Sequence, residues 1–239
     1  MSRALSPPGQ GGRKPHASVH NGITPILSIS SNLIWMLAGA FLAETLVAFS
    51  ALAFEVIAAR MIAPYAGMST DTWTTIIAAF LLALALGNWI GGLLATNRHL
   101  SAMLQCAALA IVAGGVAVAG VPLMLAGWDG LILAPAPSEL WRVVLFAAAP
   151  CIPAGVCFGI ATTLLMVSVL SLSGGRGIVV GGMYAAGAVG SVLGVLAALW
   201  LMLDGLGVRA SLFNIGILCC ANAVLVLLLS ARKPQAVLA

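Results

Sequence analysis

The sequence predicts an all-α integral membrane protein, a polytopic bundle of about six transmembrane helices in a chain of 239 residues. Three observations carry that reading. Only 7% of the residues are charged, against about 25% in an ordinary soluble domain. Hydrophobic residues make up 62% and the mean hydropathy is +1.14. Six stretches, near 33–60, 72–95, 101–125, 141–171, 178–203 and 208–230, reach the ~20 mostly apolar residues that a spanning helix needs. Their runs of Val, Leu and Ala lack the period-2 alternation of a membrane barrel strand, so the backbone must satisfy its hydrogen bonds as helix.

The elements follow in chain order. Residues 1–31 hold four of the eleven prolines together with Gly, Ser and basic residues, a composition too polar to bury much surface, and read as a flexible, retained tail. The six-helix domain is placed at 32–231 and a short second tail at 232–239. Helix 1 carries Glu44, Glu55 and Arg60, and helix 2 opens with Asp71 and Trp73. The connection 126–140 is apolar with two prolines, which fits either a plain loop or an interfacial or re-entrant segment. In helix 4, Pro150 and Pro153 each remove a backbone hydrogen bond. Such breaks either only shape the helix or mark a discontinuous helix beside a substrate site.

Charge sets the expected orientation. An even number of helices puts both termini on one side, with Arg3, Arg13, Lys14, Arg98, Arg176, Arg232 and Lys233, while Arg60, Arg142 and Arg209 fall on the other. The excess places both termini in the cytoplasm. The basic residues are scattered without interleaved aromatics, which argues against nucleic acid and for contact with a lipid bilayer. All five cysteines lie in apolar segments, where they act as small hydrophobes. No His, Cys and carboxylate cluster has the spacing of a metal site, so neither metal nor cofactor is expected.

Helix 2 contains Gly87, Gly91 and Gly92, and helix 5 contains Gly190 and Gly194. Each is the middle helix of three, which suggests a 3+3 duplication. An odd number of helices per unit would invert the two halves across the membrane. These glycines serve either close helix packing or a cargo-lining surface.

Glu44 and Glu55 are eleven residues apart, which returns to within about 20° of one helix face and separates them by roughly 16 Å. Acids inside a membrane face a bundle interior or a wet cavity and mark cation or proton paths. Glu55 is the first candidate site, with pairing to another helix as the alternative. Glu44, nearer the terminal side, either reaches out to the interface or supplies a second step. Arg60 lies about 140° around the helix from Glu55, so it reads as an interfacial anchor with Asp71 as its partner.

The segments "FEVIAARMIAPYAG", "TWTTIIAAFLLALALGNWIGGLLA" and "YAAGAVGSVLGVLAALWLMLDGLG" resemble the membrane domain of bacterial spermidine synthase-like membrane proteins, in which a transporter-like domain is fused to a spermidine synthase. The matching positions are Glu55, Arg60, Pro64, Tyr65, Gly67, Trp73, Gly87, Gly91, Gly92, Tyr184, Gly190 and Gly194. Gly187 stands where that family usually has Asn, Gly159 where it tends to have Pro, and Thr96 where an acid is expected. The resemblance implies a transporter-like domain and a polyamine as cargo. The synthase domain has no counterpart here, so its chemistry does not carry over.

Two functions follow as expectations. One is movement of an organic cation such as a polyamine through Glu55 and Glu44, with a homodimer expected because six helices are few for a transporter. The other is a non-catalytic anchor or accessory subunit that docks a separate synthase-like enzyme or a larger membrane complex. An enzyme is not expected, because the polar residues within the helices, Glu44, Glu55, Asn88, Gln105, Thr162, Thr163, Asn214 and Asn222, form no recognisable catalytic set.

Overall fold

The computed structural model describes residues 31–67, 69–128, 139–173 and 176–231, and within them the chain is helical throughout apart from short connections. Six helices run in order: α1 (Ser31–Ala66), α2 (Thr70–Ala95), α3 (Leu100–Gly127), α4 (Glu139–Leu172), α5 (Arg176–Ala197) and α6 (Gly207–Ala231). A π-helical turn, Ala198–Leu203, continues α5. All six are long and apolar enough to cross a membrane, so the chain is a multi-pass integral membrane protein. The expected tails and the 129–138 part of the connection after α3 lie outside the described residues.

Local chemistry sets the helix ends on one side of the bundle. The α1 helix continues through Pro64 and stops where Gly67 takes φ +78° and its N–H bonds the Ala63 carbonyl at 2.9 Å. A residue with a Cβ rarely adopts that left-handed cap. Ser69 then caps α2, accepting from the Thr72 N–H at 3.1 Å, and Asp71 in the first turn complements the helix dipole. The α4 helix runs unbroken through Pro150 and Pro153. The helix is therefore continuous here, not discontinuous, and the two prolines sit within it.

Packing shows how the two groups of three helices relate. The α2 helix lies against α4, α5 against α1, and α3 against α6, while α3 also packs on α4 and α6 on α1. Exchanging α1 with α4, α2 with α5 and α3 with α6 maps α2–α4 onto α1–α5 and α3–α4 onto α1–α6, and the α3–α6 contact onto itself. The 3+3 repeat is thus visible in the packing, with the second helix of each half seated on the first helix of the other half.

The glycines specify these seams. A Cβ on Gly190 would run into the Thr45 carbonyl of α1, and one on Gly194 into the Phe49 carbonyl. A Cβ on Gly87 would likewise meet the Val156 carbonyl of α4, and one on Gly91 would stand 3.0 Å from the Ile160 carbonyl. Both pairs rise together along the sequence, so α5 runs parallel to α1 and α2 parallel to α4. In both seams glycines four residues apart rest on carbonyls four residues apart, the backbone-to-backbone approach that drives helix association when lipid supplies no hydrophobic force. At the α3–α6 contact the relation is reciprocal: Gly115 faces the Gly216 carbonyl and Gly216 faces the Gly115 carbonyl.

Candidate functional site

The α1 helix is the most enclosed element around the acids, packed by α4, α5 and α6 together. Its span runs from Leu33 to Pro64, so Glu44 lies within about 7 Å of the span centre and Glu55 about 10 Å beyond it on the other side. Glu44 is only 8% exposed. It does not reach out to the interface, because α5 and α6 close over this part of α1. Glu55 is half-buried. The two carboxylates share a stripe of α1 yet differ in burial.

Glu44 looks toward α5 at Gly187, where an added Cβ would stand 3.5 Å from Glu44 Oε1. This is the position at which the resemblance leads one to expect Asn. A glycine there presents no side-chain donor to the carboxyl. On the α6 side, Asn222 is 2% exposed and its Nδ2 donates to the Ala43 carbonyl at 3.1 Å, one residue before Glu44.

Burial of polar groups singles out this region. Ser50, Ser168 and Ser211 are buried but bond the carbonyls of Leu46, Leu164 and Gly207 four residues back, at 2.8, 2.7 and 2.7 Å. In contrast, Glu44 Oε2 and Asn222 Oδ1 are buried oxygens with no hydrogen-bond partner among the described residues, a condition shared only by Ser173 Oγ. Two buried acceptors without donors are costly unless something supplies a positive charge or a hydrogen. For Glu44 Oε2 a proton on the carboxyl or a neighbouring cation would meet that need. The sequence placed Glu55 first and gave Asn222, one of two asparagines in α6, no site role.

The other predicted residues are placed as follows. Arg60 is exposed and faces the start of α6 near Arg209; among the described residues it forms no ion pair with Asp71, which is exposed in the first turn of α2. The Arg60–Asp71 pair expected from the sequence is therefore not formed. Trp73 packs against the core, Tyr184 is 71% exposed, and Gly92 points outward with nothing within 4 Å of an added Cβ. Pro150 is buried and Pro153 exposed, while the side chain of Tyr65 lies outside the described part of the structure.

A second polar group sits in the α2–α4 seam. Asn88 Oδ1 accepts from Thr162 Oγ1 at 3.2 Å and from Thr163 Oγ1 at 3.1 Å. This oxygen has its donors, and the cluster ties two helices together. Among the described residues no group of three or more His, Cys, Asp or Glu could hold a metal. Compared with known proteins, the chain matches no protein-family model, no curated protein and no solved structure.

Proposed function

We propose that this membrane protein moves a cation or a proton across the bilayer, with Glu44 as the accepting carboxylate. The observation that carries the reading is the pair of buried oxygens without donors, Glu44 Oε2 and Asn222 Oδ1. A carboxylate near the middle of a membrane-spanning helix is costly to maintain and is characteristic of ion and proton pathways. Inverted repeats with sites near the midplane are a recurring transporter design, and the exchange-symmetric packing supports that comparison. Glu55, half-buried toward the opposite side, provides a second station on the same helix. The resemblance to spermidine synthase-like membrane proteins makes a polyamine the first cargo to test. The protein is then a non-enzymatic carrier of a bacterial inner membrane with cytoplasmic termini, working as a homodimer.

The test is uptake of labelled spermidine and putrescine, and of protons with an entrapped pH dye, into proteoliposomes. Wild type, Glu44→Gln and Glu55→Gln would be compared with empty vesicles. The proposal expects saturable flux that Glu44→Gln abolishes and Glu55→Gln reduces. Flux equal in wild type and Glu44→Gln, with both proteins folded, would overturn it.

The accessory-subunit reading is favoured by one specific observation, the direct backbone contact at Gly87, Gly190 and Gly194. Seams without side chains between the helices suit a static scaffold that holds a synthase-like enzyme or a larger membrane complex. Absence of any flux from folded protein would favour this reading.

A further inference from the structure

The end of the bundle opposite the chain termini carries a groove of about 550 Å³ lined by Arg60, Met61 and Pro64 of α1 and by Leu206 to Ala210 at the start of α6. Both of its charged residues, Arg60 and Arg209, are exposed cations. Among the described residues neither forms an ion pair, and the acids nearest to them in sequence, Glu55, Asp71 and Asp204, do not line the groove. Two guanidinium groups lining one groove set up a positive potential there that attracts an anion. The rest of the lining is apolar, with Met61, Pro64, Leu206 and Val208.

Depth selects the kind of anion. Pro64 closes the first membrane span and Gly207 opens the sixth, so the groove sits at the boundary between hydrocarbon and water. Guanidinium groups present flat forks that match phosphate oxygens in pairs. The apolar wall below them suits the glycerol and upper acyl region of a lipid. We propose that Arg60 and Arg209 form a binding site for a phosphate-bearing anion, which at this depth is the headgroup of an anionic phospholipid.

The site is independent of the Glu44 reading, since it lies at the other end of α1's enclosed segment and involves neither carboxylate. Its test is lipid retention measured by native mass spectrometry on protein in mixed phosphatidylglycerol and phosphatidylcholine micelles. Wild type, Arg60→Gln, Arg209→Gln and the double variant would be compared, with Arg98→Gln at the opposite end of the bundle as control. The expected result is preferential retention of phosphatidylglycerol that falls about tenfold in the double variant, the scale of one lost charge-assisted hydrogen bond. Arg98→Gln should leave it unchanged. Both arginines are exposed, so unchanged thermal midpoints should accompany the loss. Adding glycerol phosphate distinguishes the source: displacement of the lipid by glycerol phosphate assigns the site to the phosphate itself, and failure to displace assigns it to the whole lipid. Equal retention of the two lipids, or full phosphatidylglycerol retention by the double variant, would overturn the proposal.

Discussion

The α1–α5 and α2–α4 seams are built alike and filled differently. Both set glycines four residues apart onto backbone carbonyls of the partner, Gly190 and Gly194 on Thr45 and Phe49, Gly87 and Gly91 on Val156 and Ile160. The α2–α4 seam adds a satisfied polar contact, Asn88 with Thr162 and Thr163. Beside the α1–α5 seam lies Glu44, buried and with one oxygen unpartnered. The repeat supplies a common scaffold, and the departure from symmetry locates the residue that stability alone does not explain.

The common part can be broken at either seam. Gly190→Leu and Gly87→Leu each drive a side chain into a partner backbone, so each should cost about 3 kcal/mol or more and lower the thermal midpoint in detergent by similar amounts. Gly92→Leu, with open space around it, should change little. A large loss in one seam and none in the other would show that the halves are not equivalent.

Glu44→Leu sharpens the difference. Replacing a buried, unpartnered carboxyl with a side chain of similar size should leave stability unchanged or raise it by about 1–3 kcal/mol, while removing flux. A marked fall in thermal midpoint would mean that Glu44 has a structural partner after all. Asn88→Ala should do the opposite, costing about 0.6–1.7 kcal/mol through loss of its two hydroxyl donors and leaving flux intact. Smallest of all is Gly187→Ala, whose methyl would make an ordinary contact with Glu44 Oε1. Its stability should stay within about 0.5 kcal/mol, and its flux should fall because the added group crowds the carboxyl.

Much of the architecture was legible in the sequence. Apolar runs long enough to span a bilayer admit little besides helix, and the glycine spacing in the middle helix of each half pointed to the repeat. Periodicity could also place Glu44 and Glu55 on one stripe of α1. It could not say which neighbour covers each part of that stripe, because burial of Glu44 depends on α5 and α6, more than a hundred residues away in the chain. The outcome of the Arg60–Asp71 pairing escaped the sequence for the same reason: both residues flank one loop, but Arg60 lines a groove with Arg209 of α6, 149 residues on. Asn222 was visible only as an isolated polar residue, and its bond to the Ala43 carbonyl spans 179 positions of sequence.

The exchanged packing of the two halves also bears on how the protein is made. When the first three helices have left the ribosome, α1 has been synthesised without its α5 partner, and the glycine face of α2 has no α4 to cover it. The emerging half must persist in the bilayer with its association surfaces facing lipid or an insertion chaperone until the second half arrives. A chain truncated after α3 would lack the partner helix of both glycine seams, α5 against α1 and α4 against α2.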